Sequence, residues 1–404
     1  FPMYSFLYGE MASAWHRISY HPSGRAQYTP DGYIPPVGST FRQPALAAAM
    51  RRLAQGDGVE WFQRGEWARS FVHAVNETGG QITEADLAGY EPRWDEPLRF
   101  RAFGNDMIGG PSPEYGPAYA AVGLGILERA DLSDASWLDS PRDLALIARA
   151  LAVSESYVLR YFLDPVAFDV PADLLLSDEF LGVQARLLNA SFPTADLTPK
   201  ALNLTAAPHT RGGDPLNTDS NHITIVDEQG NWLTMLHTVF GTPFGTGLVV
   251  DGISVNSGNI AYFPGVADGP GRRISTPLPP VLALRDGQPW LGIGSPGASC
   301  HSMTLVLLNL LHYGMDLEAA IEAPRFRLVP DRVPATGAWL GTFETETRLP
   351  EETLRGLARF GMKIEPLGDF NWHMGSMQAV LRDAESGNLL GAADSRRGGY
   401  ASGF

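Results

Sequence analysis

The feature that most constrains this chain is an abrupt change of texture at Ser220. Between about 190 and 219, Pro193, Pro199, Pro208 and Pro215 punctuate a Thr/Asn/Gly stretch. It has neither the period of two of a strand nor the 3.6 of a helix. A structureless segment of that length is unusual in a compact domain; it is either an ordinary surface linker or a functional, mobile loop. Directly after it, His222-Ile223-Thr224-Ile225-Val226-Asp227 and Trp232 to Thr238 read as strands joined through Glu228-Gln229-Gly230-Asn231 as a hairpin. The chain must therefore run an irregular segment straight into a core strand that begins with a hydroxyl residue.

The two sides of that point read differently. Residues up to about 190 are mainly helical: Leu46, Ala49, Met50 and Leu53 keep helical spacing with Gly56 beyond them as a stop. Ser140-Pro141-Arg142-Asp143 combines an N-cap Ser, Pro at the first position and Asp in the capping-box place, and Asp164-Pro165 ends that helix. Leu98 to Phe103 alternates as a strand. After Ser220 come short strands, a helix from about Ser299 to Tyr313, another over about 350–360, and a closing pair of strands around Glu385-Ser386-Gly387-Asn388. The expected organisation is a mainly helical part, 1–219, and a strand-rich part, 220–404.

Charge and composition narrow the function classes. Thirty basic against forty-five acidic residues give a net charge of −15, the wrong sign for gripping nucleic acid or an anionic membrane. A 44% apolar content supports a large core. The apolar runs fall short of the ~18 residues that a membrane span needs. The single cysteine, Cys300, excludes an intrachain disulfide and a Cys-rich zinc module. The opening Phe1-Pro2-Met3-Tyr4 has neither a starting Met nor a leader, so either a leader was removed or the sequence begins inside a longer protein; the compartment, cytoplasmic or periplasmic/secreted, stays open.

Gly292-Ile293-Gly294-Ser295-Pro296-Gly297 matches the dinucleotide fingerprint, but Asp316 reads better as the cap of the next helix than as a ribose partner. The competing reading is a tight glycine turn whose N–H groups point into a cleft at a helix start, as an oxyanion hole requires. The histidines show no metal-ligand spacing, so neither a metal nor any other cofactor is expected. His222, inside an alternating strand, reads as a hydrogen-bonded structural residue, and Cys300 as packing. There is no G-x-S-x-G elbow. A hydroxyl residue can instead be activated by its own α-amino group if the chain is cut just before it, because that amine has a pKa near 8. A cut at Asp219-Ser220 would place such a group at the head of the hairpin.

Asp219-Ser220-Asn221-His222-Ile223-Thr224-Ile225-Val226-Asp227-Glu228-Gln229-Gly230-Asn231 resembles the self-cleavage signature T-T-H-x-S-V-V-D-x-x-G-N of the γ-glutamyltransferase family. Phe244-Gly245-Thr246-Gly247, Ser275-Thr276, Ser295-Pro296-Gly297-Ala298-Ser299 and Gly391-Ala392-Ala393-Asp394-Ser395-Arg396 resemble later family motifs in the same order. Arg42-Gln43-Pro44 and the run from Gly79 to Tyr90 resemble motifs of its large chain. The resemblance implies an α+β fold, the αββα sandwich of N-terminal-nucleophile hydrolases, with the N-terminal part of the family fold missing from this sequence. It implies self-cleavage at Asp219-Ser220 into large and small chains that stay associated, as one pair or a dimer of pairs. It also places Ser220 as nucleophile where the family usually has Thr, Thr238 as its hydrogen-bonding partner, and Gly297 and Ala298 as oxyanion donors.

Against that pattern, Phe240 replaces an Asn that helps to hold the substrate carboxylate. The N-N-x-M-D-D-F segment becomes Asn256-Ser257-Gly258-Asn259-Ile260-Ala261-Tyr262-Phe263, without the Asp that pairs the substrate ammonium. Phe240, Tyr262, Ser275 and Thr276 are the substrate-binding positions by this resemblance. The expected activity is hydrolysis of a small amide through an acyl-enzyme, with acylase-like specificity. The alternatives are a true γ-glutamyltransferase or glutathione hydrolase, and an unprocessed, non-catalytic relative.

Overall fold

The computed structural model describes residues 1–191, 220–238, 244–256, 271–297, 299–329, 342–358, 360 and 362–403. The described residues form two compact units: 1–95 with 244–256, and 96–191 with 220–238 and the residues from 271 onward. Each unit thus draws on chain from both sides of Ser220. Most of the long Pro-rich stretch, 192–219, lies outside the described residues.

The first unit holds helices α1 (Ser5–Ser13), α2 (Trp15–Ile18), α3 (Pro22–Tyr28), α4 (Pro44–Leu53), α5 (Gly58–Gln63), α6 (Glu66–Glu77) and α7 (Glu84–Ala88). Met11, Ile18, Tyr28 and Phe41 form one core cluster, and Trp67, stacked between Phe62 and Phe71, forms another with Leu248 and Val250. The Trp67 indole N–H donates to the Val250 carbonyl at 3.2 Å, which satisfies its one polar atom.

The second unit is built on a six-stranded antiparallel sheet. Its strands, with those of the smaller sheets, are β1 (Leu98–Ala102), β2 (Asn105–Gly109), β3 (Ser220–Val226), β4 (Trp232–Thr238), β5 (Val249–Val250), β6 (Ile253–Ser254), β7 (Val281–Arg285), β8 (Gln288–Gly294), β9 (Phe326–Val329), β10 (Thr342–Thr345), β11 (Lys363–Pro366), β12 (Gln378–Arg382) and β13 (Leu389–Ala393). Of these, β5 and β6 belong to the first unit. The large sheet runs β1-β2-β7-β8-β12-β13, and β3-β4 is a separate hairpin. Helices α8 (Gly116–Glu128), α9 (Pro141–Tyr161), α10 (Ala172–Leu175), α11 (Asp178–Ser191), α12 (Ser299–Leu311), α13 (Leu317–Glu322) and α14 (Glu351–Ala358) complete it. Among the described residues no helix is long and apolar enough to cross a membrane.

The layering follows from strand β8. Leu291 and Ile293 bury themselves in the core with Leu124 of α8, Ile147 and Leu151 of α9, and Met303 and Leu307 of α12. The alternate residues, Gly292 and Gly294, face the hairpin. A Cβ on Gly292 would lie 2.7 Å from Thr224 Cγ2, and one on Gly294 2.3 Å from the His222 ring. The two glycines let the hairpin seat against the sheet. The hairpin is amphipathic in an unusual sense: Ser220, His222, Thr224, Thr234 and Thr238 lie on the inner face, while Ile223, Ile225, Leu233 and Met235 are exposed on the outer one.

Local signals explain the helix starts. The Ser140 hydroxyl accepts from the Asp143 N–H at 3.2 Å with Pro141 at the first position of α9. Asp316 caps α13 by accepting from the Ala319 N–H at 2.8 Å. Strand β8 is antiparallel to both its neighbours, β7 and β12. The glycine-rich turn after it therefore lacks the parallel β-α-β setting of a dinucleotide site.

Candidate active site

Ser220 and Thr238 are register partners at the open end of the hairpin, both half-buried on its inner face. Gly292 packs under Thr224 and Gly294 under His222, so β3 runs opposite to β8 and carries Ser220 toward the turn at 295–297. That turn leads into α12. Gly297 has φ +82°, and a Cβ there would lie 2.6 Å from Arg397 Nη2 and 2.9 Å from Gly375 Cα. Only glycine fits both the left-handed backbone and the close approach. The Ser376 N–H donates to Ser295 Oγ at 3.1 Å and ties the turn to the strand entering β12.

His222 is buried between hairpin and sheet, its Nε2 sharing a 2.8 Å hydrogen bond with the Thr234 hydroxyl. Burial drives its pKa down to about 4, against a smaller upward pull from Gln378. At neutral pH it is an uncharged spacer, the structural residue that its place in an alternating strand indicates.

The register of the sheet brings a second group of residues to the same end. Gly109 pairs with Val281, and Val281 with Ile293. Residues just after β2, just before β7 and just after β8 therefore share one edge. There the chain folds through Pro111-Ser112-Pro113-Glu114, with a cis Ser112–Pro113 bond, alongside Ser275-Thr276. The Tyr115 N–H donates to the Thr276 carbonyl at 2.9 Å and the Thr276 N–H to the Pro113 carbonyl at 3.1 Å. Ser275 is buried, its hydroxyl donating to the Phe162 carbonyl at 3.2 Å. Glu114 lies next to Thr276, and burial raises its carboxyl to about 7.

The same end is braced by buried charge. Arg325 Nη1 meets Asp394 Oδ2 at 2.6 Å, Arg396 Nη1 meets Asp394 Oδ1 at 3.1 Å, and Arg396 Nε meets Glu346 Oε1 at 2.6 Å. The Met377 N–H donates to Asp394 Oδ2 at 3.0 Å and Arg325 Nη1 to the Met374 carbonyl at 3.2 Å. The Asp394 and Arg396 of the closing motif therefore fix the 374–377 strand entry, against which the Gly297 turn rests. Cys300, buried at the start of α12, places its Sγ 3.6 Å from the Pro277 carbonyl.

Of the positions singled out from sequence, Ser220, Thr238, Gly297, Ser275 and Thr276 converge on one end of the second unit. Asp219, Phe240, Tyr262 and Ala298 lie outside the described residues. Glu114 and Gly375 carry no sequence signal of their own, because their neighbours come from distant segments, whereas Arg397 ends the run from Leu390 that resembles the closing family motif.

Comparison with known proteins decides the family. The Gamma-glutamyltranspeptidase family pattern matches residues 1–404. The chain belongs to the γ-glutamyltranspeptidase family. Within that family it is 27% identical to the glutathione hydrolase proenzyme of Bacillus subtilis (strain 168), over 100% of this chain and 68% of the relative. It is 27% identical to the acylase ACY 1 proenzyme of Pseudomonas sp. (strain SE83), over 92% and 63%. It is 28% identical to the oxamate amidohydrolase proenzyme of Klebsiella pneumoniae subsp. pneumoniae, over 97% and 71%. The chain thus spans about two thirds of the length of the curated relatives that it matches. Its fold resembles the crystal structure of cephalosporin acylase from Bacillus halodurans with a TM-score of 0.80 at 24% identity, covering 98% of this chain and 70% of that one. The α+β architecture is that of the N-terminal-nucleophile hydrolases of this enzyme family.

Proposed function

We propose that this γ-glutamyltranspeptidase-family chain is a self-processing amide hydrolase with acylase-like specificity. The observation that carries the reading is the position of Ser220: first residue of a core strand, opposite Thr238, and directed at the Gly297 turn. Cleavage at Asp219-Ser220 by the Ser220 hydroxyl frees an α-amine on the residue that bears the nucleophile. That amine takes the hydroxyl proton as Ser220 attacks the amide carbon, and returns it to the leaving amine. The N–H groups of Gly297 and Ala298 stabilise the tetrahedral oxyanion, an effect whose removal costs about 10²–10³ in turnover. Water or an amine then releases the acyl group, and the two chains remain associated.

The acyl group is the finer part of the proposal. The positions that pair a γ-glutamyl zwitterion in the family hold Phe240, Ala261 and Tyr262, none of which neutralises an ammonium ion. A des-amino acyl group such as glutaryl suits them better. Mass spectrometry of the complete protein tests the mechanism: Ser220→Ala stays one chain and lacks amidase activity, and two chains cut at this bond in that variant would exclude self-cleavage. Parallel kcat/KM values on glutaryl and γ-glutamyl anilides test the acyl group. The glutaryl compound should be favoured by about tenfold or more, the ratio that ~1.4 kcal/mol of unequal transition-state binding gives. The reverse preference would restore γ-glutamyl transfer.

A further inference from the structure

Glu114 is a half-buried carboxyl group for which the described residues supply no counter-ion. Its turn curls back so that Oε2 lies 2.0 Å from where a Cβ on Gly110 would stand. The absence of that Cβ is what leaves room for the carboxyl. Among the described residues no hydrogen bond or ion pair reaches it, and burial is the only influence on its protonation.

Several charged and titratable groups lie on the elements around this turn. Arg272 lies over the Phe168 ring, 5.4 Å from its centroid. The backbone N–H of Arg273 donates to the Asp164 carboxylate at 2.8 Å, a bond in which its guanidinium takes no part. Glu155 of α9, Tyr115 and Tyr119 of the turn and α8, and Cys300 and His301 of α12 complete the set. The Cys300 thiol points to the Pro277 carbonyl and His301 packs against the Tyr119 ring. None of them shifts Glu114.

We propose that Glu114 recognises the far end of the acyl group, keeping its own proton and donating it in a hydrogen bond to a carboxylate or carbonyl oxygen there. The words "acyl group" rest on the amide-hydrolase reading; the binding of an acceptor group does not. Three placements support it. Glu114 is backbone-paired with Thr276, one of the four positions that the family resemblance assigns to substrate. Both lie on the sheet edge that carries Ser220 and Gly297. The Ser275 hydroxyl already donates to Phe162, so the wall needs another donor. A carboxyl in apolar surroundings is held neutral, and a neutral carboxyl is a donor. With a value of about 7 it is mostly protonated at pH 6 and mostly ionised at pH 8.

The test is calorimetric binding of glutarate to the complete protein at pH 6 and pH 8, which needs no turnover. Glutarate does not titrate in that window, and affinity should fall by about tenfold from pH 6 to pH 8 as the donor proton is lost. In Glu114→Gln, whose amide is a permanent donor, binding should persist and lose the tenfold fall, any weaker trend that remains belonging to the Ser220 α-amine with its pKa near 8. In Glu114→Leu it should be weak at both values, and in Gly110→Ala, whose added methyl displaces the carboxyl, it should weaken at pH 6. The same pH dependence in Glu114→Gln would assign the proton to another group and overturn the proposal, as would absent or pH-independent binding in the wild type. Binding of L-glutamate that strengthens with pH and disappears in Glu114→Gln would make Glu114 a cation partner instead, which also overturns it. Running the series on Ser220→Ala separates the two readings, because an unprocessed protein that still shows the Gln-sensitive pH dependence would end the enzyme reading alone.

Discussion

Asp394 and Glu114 are two carboxyl groups of the same unit, one buried and one half-buried, with opposite outcomes. Burial pushes Asp394 upward, yet Arg325, Arg396 and the N–H groups of Met377 and Arg396 more than offset it and hold the group ionised, below the usual range. Partial burial pushes Glu114 upward, and among the described residues nothing opposes it. The difference lies in what each carboxyl is tied to. Asp394 joins two strand ends that must stay fixed if the Gly297 turn is to keep its shape, and guanidinium groups are placed around it for that purpose. Glu114 sits where the proposed ligand group would arrive, and the described residues hold no partner for it. A charged pair that is buried braces; a half-buried carboxyl raised by desolvation is suited to donate a proton to a ligand.

The largest effect should come from breaking the brace. Arg396→Met leaves Asp394 and Glu346 buried with one of their three guanidinium partners gone, Arg325 and Arg348 remaining, a change that costs about 3–5 kcal/mol. Denaturant unfolding at pH 7 measures it. A loss below about 1 kcal/mol would mean that the ionised cluster is not what holds the strand entry, and the contrast with Glu114 would collapse.

The opposite side of the comparison predicts a gain. A carboxyl whose pKa is raised on folding contributes nothing adverse below its unfolded value of 4.5. As pH rises from 4.5 to about 7 the native state binds the extra proton, so stability falls across that window and levels off above it. Glu114→Gln removes this loss. The variant should match the wild type at pH 4.5 and exceed it at pH 8 by roughly 1–2 kcal/mol, after discounting for partial exposure. Chemical unfolding at the two pH values decides it, and a variant less stable at pH 8 would place an unseen cation beside Glu114.

The sequence discloses one half of this comparison much better than the other. Asp394 and Arg396 stand two residues apart in a motif, and Ser220 and Thr238 face each other because an alternating run, a four-residue connection and a second run dictate the register. The caps at Ser140 and Asp316 are equally local. Glu114 is not local. In the chain it follows Gly110-Pro111-Ser112-Pro113 and reads as one more polar residue in a turn before a helix. Its burial depends on Thr276 and on the Phe162 and Leu163 carbonyls that anchor Ser275 and Ser112, all from distant segments. Periodicity cannot report such an environment. The strand order β1-β2-β7-β8-β12-β13 is hidden for the same reason: pairing between β2 and β7 joins stretches on either side of Ser220 that carry no mutual signal.

His222 supplies the control and the smallest effect. It is a base rather than an acid, it is also held neutral by burial, and unlike Glu114 it has a built-in partner in the Thr234 hydroxyl. Its folded value of about 4 lies below the unfolded 6.5. Between those values the unfolded chain takes up a proton that the native state refuses, so stability is full above pH 6.5 and declines as pH falls toward 4. The direction is the reverse of that for Glu114. One pH unit within the window corresponds to ~1 kcal/mol, so unfolding free energy should drop by about that much from pH 6.5 to pH 5.5 on account of this residue. In His222→Gln the amide can still meet Thr234 but cannot titrate, and the acid-side decline should be shallower by the same amount, with amide exchange on the hairpin confirming that it still packs over Gly294. An unchanged decline in a well-packed variant would mean that His222 accepts its proton in the folded state. The seam between hairpin and sheet would then be wetter than its two glycines and the buried ring indicate.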